Sequence, residues 1–339
     1  MSNVNLSIDW LLEKQVEYFQ LKYNYDLWHF NLIGPNGLKA VRVLKKLGIP
    51  TIGTFRGGDI QLYPEVSYGL RKEKRFDDLI KNNIHLFDCL TAISKTVELE
   101  YIKLGINKKK IKLVPNFINL VRYKDLENSK IFNRETFNWP NDKKIILTVG
   151  RNHLKKGYSY IPEIIKNLIK DFDNFLWVII GKGCNEIMYK AKKLGVDSYL
   201  KIEDEVGLSV GKNKLDNIPP IKLIMMYYCA DVFCFPTIVE TFGNVYLEAM
   251  ATGLPIITTN APGARDIIKH KYNGLISNVH GVNEMAENIK VILEDTKLEE
   301  KLIFNGLNEV KKYNMIKILK KYNTIYNETL TQKQSAITV

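Results

Sequence analysis

Two glutamates stand eight positions apart in an otherwise apolar segment, "PTIVETFGNVYLEAMATGLPII", which runs from Pro236 to Ile257. Isolated charges are costly to bury, so Glu240 and Glu248 need polar partners. An ionised carboxylate only accepts hydrogen bonds, and hydroxyl groups are suitable donors. Because sugars supply many hydroxyls, this pair predicts a site for a ligand that carries a sugar.

The elements around these glutamates predict an anion as well. A strand ends at Pro236, residues 237–243 form a loop, and "NVYLEAMA" has the composition of a helix. Gly243 would let the chain pass close to a ligand, and Asn244 is a candidate N-cap. The free amides and positive dipole end of such a helix attract a phosphate. The two carboxylates would then lie on either side of the bound anion.

Positive side chains for that anion occur in a second segment, "VGRNHLKKG", at 149–157. It follows a predicted strand, so Arg151 and Lys156 would lie at the carboxyl end of that strand. Arginine can bind phosphate through two parallel hydrogen bonds, and lysine adds a point charge. The residue types therefore favour a phosphorylated ligand.

Short apolar runs alternate with helical patterns along most of the chain, which predicts an α/β fold with parallel sheets. The predicted strands occupy residues 26–30, 50–55, 86–93, 111–115, 144–150, 175–181, 231–236 and 255–259. We predict two Rossmann-like, doubly wound domains, at 1–125 and 140–314, with a polar linker and a cleft between them. A helix at about 315–330 would pack back on the first domain. Ligands in such sheets bind beyond the carboxyl ends of the strands.

The composition limits the possible partners. The 339 residues include 49 Lys and Arg against 37 Asp and Glu, a net charge of +12, which favours phosphorylated substrates or an anionic membrane surface. We expect no nucleic-acid partner, because no nucleic-acid-binding motif accompanies the charge. Four cysteines without metal-ligand spacing predict buried free thiols.

Three motifs together resemble glycosyltransferase family 4, whose members are retaining enzymes of the two-domain GT-B fold that use nucleotide-sugar donors. They are "GR…KKG", "VIIGKG" and "ETFGNVYLEAMATGLPII", and the resemblance covers roughly residues 20–330. It implies that Glu240 contacts the donor sugar, that Glu248 contacts the ribose, and that Arg151 and Lys156 hold the diphosphate. It also implies catalysis without a metal or cofactor, the nucleoside-diphosphate sugar being a co-substrate. The predicted donor-binding set further includes Gly150, Phe242, Gly243, Asn244 and Val245.

The first half departs from the family pattern in three respects, one of them being Phe117 and Asn119 where the family tends to have Gly and Asp. In "FRGGDI", Arg56 stands where the family usually has histidine, and Arg56 and Asp59 are candidates to orient the reacting groups. Only about 25 residues precede "DLWHFNLIGPNG", where family members normally have further strands. We therefore expect a shortened N-terminal domain with an open sheet edge, covered by a second copy, a partner chain or the N-terminal helix.

The sequence thus predicts a metal-independent transferase that moves a hexose-type sugar from a nucleoside-diphosphate sugar to a glycan or lipid-linked acceptor in polysaccharide biosynthesis. We expect it in the cytoplasm or peripherally at the inner face of the membrane. A noncatalytic subunit that binds a nucleotide sugar, or supports a partner transferase, is the alternative. An NAD oxidoreductase is disfavoured because "GKGCNE" lacks the third glycine of the dinucleotide fingerprint.

Two further segments bear on metals and specificity. "DFDNF" at 171–175 has the spelling of a metal-binding DxD, but its position between a helix and a strand predicts a solvated turn. The loop at 203–217 carries no motif, and we expect it to contribute to specificity.

Overall fold

The computed structural model describes residues 2–129, 132–207 and 219–337. The chain forms two compact units, one made of Met1–Asn116 with Ile316–Val339 and the other of Phe117–Met315. Each unit is built on a parallel β-sheet, so the predicted α/β class is confirmed.

The sheet of the first unit has four strands in sequence order. The strands are β1 Trp28–Asn31, β2 Thr51–Thr54, β3 Cys89–Ala92 and β4 Ile111–Leu113; the helices are α1 Ser2–Tyr23, α2 Pro35–Lys46, α3 Lys74–Asn83, α4 Lys95–Lys103 and α13 Met315–Ile337. The central strands β2 and β3 are buried along their whole length, as expected for a sheet covered on both faces. In the described part of the chain, β1 is one edge of this sheet.

Helix α13 supplies core residues to the first unit. Ile318 and Ile325 pack in one buried cluster with Ile52, Cys89 and Val114, which come from β2, β3 and the chain just after β4. The C-terminal helix therefore covers a face of the first sheet.

Helix α1 has one packed face and one exposed face. Val16 packs against Val43 and Leu44 of α2, and Trp28 Nε1 donates to Gln20 Oε1 at 2.7 Å. The opposite face exposes large apolar side chains: Trp10, Leu11, Tyr18 and Leu21. Within the described ranges, no helix is both long enough and apolar enough to cross a bilayer.

Within the residues that the structure describes, the sheet of the second unit has six strands in the order β10-β9-β8-β5-β6-β7. The strands are β5 Lys144–Val149, β6 Phe175–Ile180, β7 Leu200–Glu203, β8 Val232–Phe235, β9 Ile256–Thr259 and β10 Leu275–Ser277; the helices are α5 Leu120–Ser129, α6 Ile161–Leu168, α7 Asn185–Leu194, α8 Ile221–Tyr228, α9 Asn244–Ala251, α10 Ala264–Ile267, α11 Val282–Glu294 and α12 Thr296–Val310. The sequence patterns missed β7 and β10, since each lies at a sheet edge and is too short for a clear apolar run.

The order of the second sheet reverses at β5, which lies between β6 and β8. Beyond the carboxyl ends of β5 and β8, the connections leave toward opposite sides, and this reversal is where open α/β sheets bind ligands. The carboxylate of Asp231 fixes the other end of the two strands, because Oδ2 accepts from Ile145 N at 2.7 Å and from Arg134 at 2.6 Å.

All four cysteines are free and buried, as predicted. Burial raises the pKa of the Cys229 thiol to about 11, and it raises the pKa of Cys234 as well. These thiols are therefore core residues in the protonated form.

We expect Ile318→Ala to destabilise the first unit by about 2–5 kcal/mol, because a fully buried side chain is removed from the core between α13 and the sheet. Amide hydrogen exchange of β2 and β3 measures this loss locally. Leu319→Ala, on the half-exposed side of the same helix, is the control and should change the opening free energy by less than about 0.5 kcal/mol. Equal effects of the two substitutions would contradict the packing role of α13.

Candidate active site

The carboxylate of Glu240 lies buried between two lysines. Lys156 Nζ donates to Glu240 Oε2, and Lys155 Nζ lies 3.8 Å from Oε1. Burial by itself would raise the pKa of Glu240, but the charges of Lys156 and Lys155 outweigh it and leave that pKa below its usual value. The Glu240 carboxylate is therefore ionised at neutral pH, although its side chain is only 6% exposed.

Lys155, which sequence reasoning did not select, joins the two predicted segments through its backbone. Its carbonyl accepts hydrogen bonds from Ile238 N at 2.8 Å, Val239 N at 3.1 Å and Thr237 Oγ1 at 3.0 Å. The doublet "KKG" was the only available signal, and a side chain at either position could have been the functional one. The structure brings both lysines to Glu240.

Glycine at 157 makes this junction possible. Its φ is +66°, and a Cβ there would come within 1.9 Å of the Pro236 carbonyl oxygen. The turn that carries Lys155 and Lys156 can therefore rest directly on the end of β8. His153 caps the same turn, because its Nδ1 accepts from Lys155 N at 3.2 Å.

The start of α9 differs from the prediction, because the N-cap is Gly243 and not Asn244. Gly243 has a φ of +86°, and a Cβ would lie 2.6 Å from the Tyr246 ring, so only glycine fits at this position. Asn244 is the first residue of the helix and is exposed. Of the two other predicted donor-binding residues here, Phe242 is buried and Val245 is half-buried.

A third loop, which follows β9, holds the backbone of Glu240. Glu240 N donates to the Pro262 carbonyl at 2.9 Å, and a Cβ on Gly263 would lie 2.2 Å from the Glu240 carbonyl oxygen. The sequence "NAPGARD" gave no hint of this role beyond its turn residues. The position of Glu240 thus depends on segments after β5, β8 and β9.

Glu248 has a different environment one turn inside α9. Its Oε2 accepts a hydrogen bond of 2.8 Å from the Tyr227 hydroxyl on α8. Burial raises the pKa of Glu248 to about 7, and the hydrogen bond from Tyr227 opposes this rise. No lysine or arginine pairs with Glu248 within the described residues, so the two glutamates differ in charge state near neutral pH.

Gly150 and Arg151 follow β5. Gly150 has a φ of +141°, and its carbonyl oxygen would lie 1.9 Å from a Cβ on Gly181, which follows β6. Two neighbouring strands therefore end in glycines that touch. Arg151 comes next and is exposed, so its guanidinium is accessible to a ligand.

Arg56 and Asp59 belong to the first unit, where Asp59 holds its own loop. The buried carboxylate accepts from the amides of Ile33 and Arg56, each at 2.8 Å, and burial raises its pKa. The Arg56 guanidinium donates to Asn116 Oδ1 at 2.6 Å and to Asn31 Oδ1 at 2.8 Å. The structure therefore gives Asp59 a structural role and leaves the predicted catalytic role of Arg56 and Asp59 as a prediction.

His29 in β1 is a half-buried histidine with a hydrogen-bond partner at each ring nitrogen. Its ring nitrogens lie 2.8 Å from Tyr326 Oη and 2.7 Å from Thr54 Oγ1. Burial, together with the charge of Arg56, lowers the pKa of His29 to about 4. The ring is therefore neutral at physiological pH.

The DFD segment forms a polar turn between α6 and β6, with Asp171 and Asp173 exposed. Across the described ranges, no three His, Cys, Asp or Glu side chains are arranged to hold a metal ion.

A cavity of about 460 Å³ lies beyond the carboxyl end of β7. Its lining includes Glu203, Asp204, Lys222 and Met226, the last two from α8. The predicted specificity loop at 203–217 begins here, but its residues from 208 onward lie outside the described part of the chain.

Comparison with known proteins assigns the chain to a family. Residues 129–309 match the model of Glycosyl transferases group 1, and residues 3–122 match that of Glycosyltransferase Family 4. The chain belongs to the group 1 glycosyltransferases, and the resemblance drawn from the sequence motifs is confirmed.

Individual relatives resemble the chain in sequence, and solved structures resemble it in fold. An uncharacterized 41.2 kDa protein in the cps region of Klebsiella pneumoniae is 30% identical over 59% of this chain, which spans only half of that relative's length. The N-acetyl-alpha-D-glucosaminyl L-malate synthase of Bacillus anthracis is 26% identical over 94% of this chain and 79% of its own. The structure of Anabaena HepE in complex with UDP is 17% identical, with a TM-score of 0.73 over 94% of this chain and 82% of HepE. The predicted GT-B fold is thereby confirmed.

Replacing Glu248 should change how stability depends on pH. The folded protein binds the Glu248 proton more tightly than the unfolded chain, whose glutamates titrate near 4.5, so stability falls as pH rises from about 4.5 to about 7 and levels off above that. Glu248→Gln stays neutral, so its unfolding free energy relative to wild type should rise from about pH 5.5 to about pH 7 and be level by about pH 8. Urea unfolding at a series of pH values measures this difference.

Glu240→Gln is the matched control, because the pKa of Glu240 is lowered and the carboxylate is ionised in both states over this range. Its stability difference from wild type should therefore stay constant over the same pH values. A flat difference for Glu248→Gln as well would show that Glu248 is not desolvated.

Proposed function

We propose that this protein is a retaining glycosyltransferase that transfers a hexose-type sugar from a nucleoside-diphosphate sugar to a glycan or lipid-linked acceptor. The observation that carries the proposal is the ionised Glu240 held between Lys155 and Lys156, at the carboxyl ends of β5 and β8. Family membership gives the reaction class, and the UDP bound to HepE supports a uridine nucleotide as the first donor to test.

Lys156 and Arg151 would hold the diphosphate of the donor, together with the amides at the start of α9. Negative charge grows on that diphosphate as the sugar bond breaks, and fixed positive groups stabilise it without rearranging. The Lys156 ammonium group, which donates to Glu240, would also have to donate a hydrogen bond to the phosphate. Lys155 would then remain as the counter-ion that keeps Glu240 ionised.

Glu240 would accept hydrogen bonds from hydroxyls of the donor sugar, and Glu248 from those of the ribose. The first role suits a carboxylate that stays charged, since charge-assisted hydrogen bonds are the stronger kind. Attack by the acceptor on the face from which the diphosphate leaves would retain the configuration of the sugar, with no metal ion in the step.

We also propose that the exposed face of α1 docks on an anionic membrane, where a lipid-linked acceptor would lie. Its apolar side chains are 52–82% exposed: Trp10, Leu11, Tyr18 and Leu21. Lys14 and Lys22 are exposed among them, and the whole chain carries a charge of +12, which complements acidic lipid headgroups. Tryptophan and tyrosine prefer the membrane interface, so this face combines the two attractions that peripheral helices use.

Turnover with a nucleotide sugar tests the reaction. Lys156→Ala should lower kcat by about two to three orders of magnitude, because one preorganised donor to the leaving group is lost. The measurement is release of UDP from UDP-sugars in the presence of glycan or lipid-linked acceptors. A chelator should leave the wild-type rate nearly unchanged.

Lys190→Ala is the control for Lys156→Ala, because Lys190 pairs with Glu163 on the surface and should leave kcat unchanged. The mechanism is wrong if EDTA abolishes turnover, a divalent ion restores it and Lys156→Ala is mild. Nucleotide-sugar binding without turnover, under all acceptors and partners, would instead identify a noncatalytic subunit.

Co-sedimentation with vesicles tests the membrane face. Binding to vesicles that contain phosphatidylserine should weaken roughly tenfold or more between low and physiological salt, because the electrostatic part is screened. The double variant Trp10→Ala/Tyr18→Ala should lose most of the binding. Tyr189→Ala, which removes an exposed aromatic from α7, should bind like wild type. Binding that ignores salt, or equal binding of all three proteins, would exclude α1 as the docking face.

A further inference from the structure

Two adjacent tyrosines on α8 have different partners. The Tyr227 hydroxyl donates to Glu248 Oε2 at 2.8 Å, while the Tyr228 hydroxyl donates to the Tyr123 carbonyl at 2.8 Å. Tyr227 is fully buried, and its ring centroid lies 5.8 Å from that of Phe233 in β8. Because packing fixes the ring, its hydroxyl is a rigid donor aimed at Glu248.

We propose that Tyr227 is a positioning residue for donor binding, which fixes Oε2 of Glu248 so that Oε1 is presented to the ribose of the nucleotide. This inference rests on the proposed function, in which Glu248 accepts from ribose hydroxyls. A glutamate side chain has several rotatable bonds, and freezing them before binding reduces the entropy that the ligand complex must lose.

Tyr227 also affects the charge of Glu248. Burial favours the neutral carboxyl and raises its pKa to about 7, whereas a hydroxyl that donates to the carboxylate favours the ionised form. The neighbouring groups on α5 are Tyr123, whose own pKa is raised by burial and by Glu248, and Arg122. Removal of the Tyr227 hydroxyl should therefore raise the pKa of Glu248 further and leave less carboxylate at neutral pH.

Nucleotide affinity should therefore depend on pH in a way that is set by the hydrogen bond from Tyr227 to Glu248. A neutral carboxyl has lost acceptor capacity, so nucleotide affinity should increase as pH rises through about 7 in the wild type. In Tyr227→Phe the same increase should occur at higher pH. A purely structural role of Tyr227 would weaken binding at all pH values alike.

The test is calorimetric titration of the full chain with UDP between about pH 5.5 and about pH 8.5, for wild type, Tyr227→Phe and Tyr228→Phe. At neutral pH, Tyr227→Phe should bind UDP roughly tenfold more weakly, the scale of one lost hydrogen bond to a charged group. Its pH midpoint should lie above that of the wild type. Tyr228→Phe should match the wild type, because its hydroxyl does not reach Glu248. The phosphates of UDP titrate identically for all three proteins and cancel in the comparison.

A second measurement works without ligand. The unfolding free energies of Tyr227→Phe and Tyr227→Phe/Glu248→Gln are compared across pH. Their difference should follow pH as the difference between wild type and Glu248→Gln does, but with its midpoint at a higher pH. Coincident midpoints in the two backgrounds would overturn the positioning role even if UDP binds well. If the midpoint moves but UDP binds none of the proteins, the donor site itself is overturned, and with it the role of Tyr227 in binding.

Discussion

The second unit depends on one constraint, which is that the Glu240 carboxylate must stay ionised although it is almost buried. Desolvation of an unpaired carboxylate costs several kcal/mol, so Glu240 needs cations within reach. Lys155 and Lys156 come from the segment after β5, while Glu240 itself follows β8. The chain brings them together through backbone hydrogen bonds and through glycines where any side chain would collide, notably Gly157 and Gly263. The loops are close-packed because this ion cluster has to be assembled at the reversal of the sheet.

The two glutamates show how one short segment supports two kinds of chemistry. Glu240 has two ammonium groups beside it and a lowered pKa, whereas Glu248 has a phenol hydroxyl and a pKa of about 7. Burial acts to raise the pKa of both carboxyl groups, so the opposite outcomes come from their partners. Environments that move two carboxyl groups apart in pKa commonly mark different roles. In the proposed reaction, one carboxylate acts on the transferred sugar and the other on the nucleotide that leaves.

Much of this could be predicted from the sequence, because apolar periodicity and glycine placement are local signals. Eight of the ten strands found in the described residues, and the segments that carry Glu240 and Lys156, were predicted in this way. Lys155 and Tyr227 could not be, since a lysine doublet and a tyrosine pair do not show which member faces a carboxylate. Asn244 was a reasonable N-cap by residue preference, but the left-handed backbone at Gly243 decided otherwise. The role of Asp59 also escaped prediction, because backbone amides that converge on a side chain leave no trace in residue types.

The carbonyl of Lys155 holds the loop after β8 through three hydrogen bonds, and these do not depend on the Lys155 side chain. Every amino acid has this carbonyl, so exchange of the residue would change the charge near Glu240 while the three hydrogen bonds could still form. At this position the backbone sets the shape of the loop and the side chain sets the charge. A substitution at position 155 therefore changes the electrostatics of the site without removing the hydrogen bonds that set its shape.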